Sequence, residues 1–328
     1  MTVADPARSL RVITCGEALI AALPDRPVTL DGGEPLRLYL GGAEVNFAVG
    51  IRRLGLDARF VGRVGNDTLG SLVLTTLECE DVDVTHVRRN DGVSGLYLRE
   101  WLADGQRRPL YYRAHSAGST FGPEDWPSDT NDVDWLHITG ITPALSIPCR
   151  DAVMAALAWA NDHAIPVSFD PNYRHQLWTR EEARAVLLPM VAHCQVLLLG
   201  TGEGDLLFGT DDPDTIIERA TLMNVAVVVV KQGSEGATAQ SAGEFWRQQA
   251  LDVEALDPVG AGDAFDAGFV AGMLGGASLN EAMTLATYCG AKVTERPGEH
   301  EGFPRRNELP AGVLPKAWVS DSSALGGN

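Results

Sequence analysis

The chain has 328 residues, 45% of them apolar, and a formal net charge of -18. This length and apolar content support one large α/β domain or two smaller ones and exclude global disorder. The negative charge excludes nucleic acid as a main partner, because phosphate contacts need clustered Lys and Arg, yet it leaves room for a small anionic ligand.

Taken in chain order, LRVITCGEALIAAL (Leu10 to Leu23) reads as an opening strand with a continuation. LRLYLGGAEVNFAVGIRRLG reads as a strand, a Gly-Gly turn and a helix with Phe47, Ile51 and Leu54 on one face. ARFVGRVG is the next strand and LGSLVLTTLECEDV a helix. SGLYLREWL and RRPLYYRAH alternate and pair around the turn ADGQ. These early paired strands predict a small antiparallel flap beside the main sheet.

The pattern then becomes regular. The strands VDWLHITG, IPVSFDPN, CQVLLLG and VAVVVVKQG alternate with helices over Arg150 to His163, Glu181 to Ala192 and Thr215 to Met223. Two more helices follow, one starting near Asp263 and one over Leu279 to Glu295. Such alternation, with several strands apolar on both sides, predicts a mainly parallel sheet covered on two faces. The tail VSDSSALGGN, 319–328, reads as unstructured.

Several chemistries are missing. Lysine occurs only at Lys231, Lys292 and Lys316, none followed by Ser or Thr, so there is no Walker A pattern. GAGDAF ends in Phe, so it is not a Rossmann fingerprint. The five cysteines are scattered and form no Cys-x-x-Cys, which predicts neither a disulfide framework nor a zinc site and fits a reduced cytosol. MTVADPARSL has no signal-peptide core, and the apolar runs are too short to span a bilayer.

The stretch DPVGAGDAFDAGF carries the strongest signal. Phe265, Phe269 and Met273 recur every four residues, so a helix starts near Gly262 or Asp263. The first N–H groups of a helix lack intrahelical partners, and glycines let a ligand approach them. Gly260, Ala261 and Gly262 can therefore form an anion cradle with Asp263 beside it. Read alone, Asp263 is equally a helix cap. Four other polar loops follow predicted strands: GGAEVN, FDPNYR, LGTGE and VVKQGSEG. Together the five loops mark one ligand-binding edge at the carboxyl ends of the strands.

Two of these stretches carry a resemblance. GGAEVNFAVGIRRLGLDARFVGRVGNDTLG and DPVGAGDAFDAGF resemble the two signatures of the ribokinase-like (PfkB) carbohydrate kinases, in the family's order and about two hundred residues apart. The likeness runs from Leu10 to about Leu314. It implies a ribokinase-like three-layer α/β sandwich, a single kinase domain over 1–328 with a β lid drawn from about 17–40 and 94–114. It also implies Asp263 as general base and the amides of Gly260 to Asp263 as an anion hole. ATP is expected between the KQGSEG loop and the later helix, near Gly200, Lys231, Gly233, Gly236, Gly260, Gly262 and Ala291. Lys231 either reaches a phosphate or is merely solvated. Mg²⁺ is expected with ATP, held mostly by water and phosphate. Glu203 matches the glutamate of the family's Asn-x-x-Glu motif, in which Gly200 replaces the Asn. Asp257 either helps bind a monovalent cation such as K⁺ or serves as a turn former.

The segments YYR…SAGS, NYR…LW and ITPAL are similar to those of the 2-keto-3-deoxygluconate kinases. This second likeness implies that Tyr111 or Tyr112, Arg113 and Arg174 bind the acid end of a sugar acid, with Gly42, Asn46 and Tyr97 lining the rest. Two arginines suit a carboxylate, which pairs with a guanidinium through two parallel hydrogen bonds. The alternatives are surface ion pairs for the two arginines, another sugar kinase of the family, and a non-catalytic sugar-acid sensor. Lid pairing in the family implies a homo-oligomer.

Overall fold

The computed structural model describes residues 9–24, 28, 30, 32–102 and 107–322. Its first third holds β1 (Arg11–Gly16), β2 (Leu19–Pro24), β3 (Leu36–Gly41), α1 (Ala43–Arg53), β4 (Asp57–Gly65), α2 (Thr68–Cys79), β5 (Val87–Asn90), β6 (Gly95–Trp101) and β7 (Arg107–Tyr112). Then follow β8 (Trp135–Thr139), α3 (Ile141–Leu145), α4 (Ile147–Asp162), β9 (Val167–Asp170), α5 (Arg180–Val191), β10 (Val196–Gly200), α6 (Thr201–Phe208), α7 (Pro213–Leu222) and β11 (Val227–Lys231). The last elements are β12 (Ala237–Ser241), β13 (Glu244–Gln248), α8 (Ala261–Leu274), α9 (Leu279–Val293) and α10 (Lys316–Ser322).

Nine strands form one sheet in the order β13-β12-β11-β10-β9-β8-β1-β4-β5. The run from β11 to β5 is parallel, and β12 and β13 extend it antiparallel. The expectation of a mainly parallel sheet therefore holds. Apolar runs such as VLLLG and VVVVK are buried along their length because helices cover both faces. One face packs Phe47 of α1 and Phe269 of α8 against Val229 and Leu198. The other packs Leu157 of α4, Leu187 of α5 and Ile217 of α7 against Leu197 and Val228. β1 pairs with both β4 and β8, so the strand order reverses direction there, and a crevice opens at the carboxyl ends on that line.

Four strands form a second sheet, β3-β2-β6-β7. It is the flap expected from the sequence, with one difference: β2 and β6 run parallel, so the flap is mixed rather than antiparallel. β2 and β6 are separated by most of the first βα layers, and that long connection permits the parallel pairing. β6 and β7 pair as expected, with Tyr97 opposite Tyr111 and Arg99 opposite Pro109. The ADGQ turn, 103–106, lies outside the described residues.

Three further differences have simple causes. β12 (ATAQS) has no large apolar residue to mark it as a strand. α6 starts at the Gly200 turn, where the Glu203 carboxylate accepts the Gly200 N–H at 2.9 Å. α10 enters the segment read as an unstructured tail, because Trp318 buries its ring beside Gly275 and under the Arg306 guanidinium. The remainder of that tail, 323–328, lies outside the described residues. Among the described residues no helix is long and apolar enough to cross a membrane.

Candidate active site

The crevice carries two cavities that meet at Lys231, Gly233, Pro258 and Gly262. The first, about 520 Å³, lies between the flap and the strand ends. The second, about 550 Å³, lies between the turn after β11 and helices α8 and α9.

Gly260 caps α8 in the left-handed conformation, φ 83°, and a β-carbon there would collide with the Glu299 carbonyl. Only glycine fits both constraints. The turn places Gly260 and Gly262 on the first cavity and Ala261 and Gly262 on the second. Asp263, the third residue of the helix, lines the first cavity and is 9% exposed. Asn46 on α1 donates to its Oδ2 at 2.8 Å, and Asn172 after β9 donates to its Oδ1 at 3.3 Å. Burial pushes the Asp263 carboxyl up to about 6, with Asp170 and Glu299 adding to the rise and the Asn46 bond and Arg174 opposing it. A carboxylate so placed can take a proton near neutral pH.

Asn46 does not line the cavity. Its amide also donates to Glu299 Oε2 at 2.9 Å, so it holds two carboxylates from behind. Glu299 was not among the residues singled out from the sequence. It lines the first cavity, and its carboxylate also accepts the Gly42 N–H at 3.1 Å and the Tyr97 hydroxyl. Gly42 needs its φ of 121°, and a side chain there would meet the Glu17 carbonyl.

Tyr97, Tyr111, Arg113 and Arg174 all line this cavity. Tyr112, the alternative to Tyr111, is 60% exposed and turns outward, as strand alternation requires. Arg113 is buried and ion-paired with Glu17 at 2.5 Å. Its guanidinium is thus partly neutralised inside the protein while still lining the cavity. Burial pushes the Glu17 carboxyl up, with Arg113 and Ser116 opposing. Arg174 is exposed on the cavity wall, and its guanidinium has no hydrogen bond or ion pair among the described residues.

Lys231 ends β11 and lines both cavities. It is not simply solvated: Nζ donates to Asp170 Oδ2 and to Asp266 Oδ1, both at 3.0 Å. Burial opposes its charge, but the two carboxylates win and raise its pKa. Burial drives the Asp266 carboxyl up, whereas Lys231 overcomes burial at Asp170 and holds that carboxyl down. Asp170 stands in the FDPNYR loop that the sequence marks, though without a role there, whereas Asp266 escaped the sequence reading. Asp266 lies one helical turn beyond Asp263, a spacing that could have flagged it.

The second cavity is lined by Gly233, Gly236, Ala255, Phe265, Thr287, Gly290 and Ala291, among others. Small residues and one phenyl ring make a slot suited to a flat heterocycle. Thr287 on this wall buries its Oγ1 without a hydrogen-bond partner among the described residues. The slot opens onto the glycine turn of α8, so a nucleoside there would direct its phosphates at that turn. These features fit a nucleotide. Among the described residues no cluster of three His, Cys, Asp or Glu forms a metal site. Any Mg²⁺ would then take most of its ligands from phosphate and water. Glu203 faces the first cavity, with its oxygens accepting the Gly200 and Tyr173 N–H groups. Asp257, considered for a monovalent cation, lines neither cavity and is ion-paired with Arg99 and Arg107.

A polar cavity under a flap, joined through a glycine turn to an apolar slot, belongs to the class of small-molecule kinases. Residues 11–306 match the pfkB family carbohydrate kinase. The chain belongs to that family and is a carbohydrate kinase. It is similar to a 2-dehydro-3-deoxygluconokinase of Bacillus subtilis (strain 168), 34% identical over 92% of this chain and 94% of that protein. It is similar also to a fructokinase of Klebsiella pneumoniae, 33% identical over 91% of this chain and 98% of that protein. The solved 2-dehydro-3-deoxygluconokinase of Thermotoga maritima superposes with a TM-score of 0.87 at 25% identity, covering 92% of this chain and 97% of that one.

Proposed function

We propose that this kinase phosphorylates the 6-hydroxyl of 2-keto-3-deoxygluconate (2-dehydro-3-deoxygluconate) using ATP, with Asp263 as general base. The observation that carries the reading is the position of Arg174. Among the described residues it is the cation on the wall of the Asp263 cavity whose side chain has no hydrogen bond or ion pair. A guanidinium without an internal partner, facing a cavity, suits a ligand carboxylate.

In this reading Asp263 accepts the proton of the attacking hydroxyl, and Asn46 and Asn172 fix the carboxylate's direction. The amides of Gly260 to Asp263 face the charge that develops on the transferred group. Gly233, Gly236 and Ala291 hold the nucleotide, and Lys231 stands at the junction of the cavities, where Asp170 and Asp266 fix it. Mg-ATP supplies the phosphoryl group when bound. Gly200 and Glu203 shape the wall nearest the metal–phosphate end. Tyr97, Tyr111 and Gly42 surround the sugar, and the lid keeps water from the reacting hydroxyl.

One observation favours a second reading, a neutral ketose such as fructose. Arg113 is already paired with Glu17, and Glu44 and Glu299 add further carboxyl groups to the same cavity. ADP release with Mg-ATP and a panel of 2-keto-3-deoxygluconate, its galactonate epimer, gluconate, fructose and ribose decides between them. A clear preference for the keto-deoxy acids is expected. Preference for fructose or ribose would retain the kinase chemistry and remove the acid reading. No turnover on any of them would bring forward a sugar-acid sensor.

A further inference from the structure

The inner face of the lid carries two groups of side chains. Alternation along β6 and β7 puts Tyr97, Arg99, Arg107, Pro109 and Tyr111 on the face that lines the first cavity. The tyrosines sit toward Glu299. The two arginines instead reach Asp257, on the loop that leads into the α8 turn. Arg99 Nη1 donates to Asp257 Oδ1 at 3.2 Å while its Nη2 donates to Oδ2, so the pair is two-pronged. Arg107 Nη1 reaches Oδ1 at 3.3 Å, and its Nη2 donates to the Leu256 carbonyl. Arg99 is 3% exposed and Asp257 2%.

Asp257 passes this contact on. Its Oδ1 also accepts the Val259 N–H at 3.2 Å, immediately before Gly260. On its other side the loop is pinned by Leu256 and Asp257 N–H groups that donate to the Thr294 carbonyl at 2.8 and 2.9 Å. The loop is thus clamped between the lid and the end of α9, and the turn that faces both cavities hangs from it. A carboxylate this deeply buried requires matched charge, and here both guanidiniums come from the lid.

We propose that Arg99 and Arg107 are positioning residues for phosphoryl transfer: through Asp257 they fix the Gly260–Asp263 turn to the lid, so that the turn is in register for reaction only when the lid is seated. The proposal rests on the reading of that turn as the anion hole and of Asp263 as base. Displacement by about 1 Å of groups that only position can cost about a hundredfold in rate. The tie should therefore appear in kcat rather than in binding.

The test is steady-state kinetics of Arg99→Met, Arg99→Lys, Asp257→Asn and the double variant Arg99→Met/Asp257→Asn, with the best acceptor of the sugar panel. For Arg99→Met, kcat is expected to fall about tenfold or more, with KM for sugar and for ATP within about threefold of the parent. Arg99→Lys should regain part of the loss, since one ammonium still reaches Asp257. The double variant should be no slower than the slower single variant, because both break one link. If Arg99→Met does not fold, Arg107→Met, at a side chain 20% exposed, reads the same link. An unchanged kcat with a raised sugar KM would overturn the proposal, as would single effects that multiply in the double variant. Asp263→Asn measured in parallel separates the two layers. If it is inactive while Arg99→Met is normal, the tie fails and the base reading stands. If it turns over normally, the base reading fails and takes the tie with it.

Discussion

The two cavities that meet at Lys231 are built on opposite plans. The sugar-side cavity is crowded with charge: Glu17, Glu44, Asp170, Asp263 and Glu299 face Arg99, Arg113, Arg174 and Lys231 across it. Several of those charges are spent on internal partners, as in Glu17–Arg113 and Asp170–Lys231–Asp266. The other cavity is lined mainly by small and apolar residues, four glycines and four alanines with Leu251, Val253, Pro258 and Phe265, and its charged groups are Lys231 and Asp252 alone. A paired charge network is rigid and costly to rearrange, so it suits discrimination among similar polyols and a fixed direction of proton transfer. A small-residue slot suits a ligand that is bound mainly by its flat face, with backbone amides left for its phosphates. Substitutions on the charged side should therefore act on kcat and sugar choice, and those on the apolar side on ATP affinity alone.

The largest expected effect tests the charged side at its centre. Asp263→Asn should lower kcat by about 10²–10⁴-fold, with sugar affinity, measured by calorimetry, changed little. The parent enzyme should lose kcat/KM as pH falls through about 6, because burial raises the Asp263 pKa to that value and the base must be ionised to act. The stability sign is opposite. A carboxyl whose pKa is raised in the folded state destabilises the fold progressively as pH rises above its ordinary value of 3.8, and fully above about 6. Asp263→Asn should accordingly raise Tm most at pH 8, less at pH 5 and least near pH 4. Turnover near that of the parent would remove Asp263 from the chemistry. A loss of Tm at pH 8 would show that its hydrogen bonds to Asn46 and Asn172 outweigh its burial.

Arg174→Ala comes next. It removes the cation on the cavity wall whose side chain has no partner among the described residues, and a hydrogen bond to a charged group contributes roughly 1.5–3 kcal/mol. The KM for an acid sugar should rise about tenfold or more while that for fructose moves far less. Equal effects on both would make Arg174 a general wall residue and leave the charged cavity without a carboxylate subsite. ATP affinity should not change in either case, and a parallel rise in KM for ATP would blur the division between the cavities.

The two plans differ also in how far the sequence reveals them. The glycine loops of the apolar slot were legible, because KQGSEG and GAGD are local patterns, a strand end and a helix start, while the helix around Ala291 entered through the family resemblance. The parallel part of the sheet was legible for the same reason, since strands such as β10 and β11 announce themselves as short apolar runs between helices, while buried β12 does not. The charged side was legible only in its members. Arg113 and Arg174 could be named, but not that Glu17 claims the first and leaves the second free. Lys231 could be named, but its partners Asp170 and Asp266 stand 61 and 35 residues away. Glu299 contacts Tyr97 across 202 residues, and nothing in RPGEHEGFP distinguishes it from the acids beside it. Asp257 looked like a cation ligand or a turn former. The lid arginines that take its charge lie on a strand face whose alternation with Tyr97 and Tyr111 was visible, but whose direction was not. Pairings between distant segments depend on the packed sheet, and a local pattern cannot carry them.

The smallest expected effect sharpens the comparison from the apolar side. Thr287 Oγ1 is buried on the slot wall with no hydrogen-bond partner among the described residues. An unpaired buried hydroxyl destabilises the free protein unless a ligand satisfies it. Thr287→Val keeps the branched shape and replaces only that hydroxyl by a methyl group. If the hydroxyl meets the nucleotide base, KM for ATP should rise by roughly fivefold, the worth of about 1 kcal/mol, while sugar KM and kcat hold. The free variant should also be slightly more stable than the parent, since it no longer buries an unsatisfied group. The pair of results matters more than either one. A rise in stability without a rise in KM would show that shape alone holds the base and that the slot has no polar reading of it. A change in sugar KM from this wall would show that the cavities are coupled through the α8 turn, and the separation drawn between them would have to be given up.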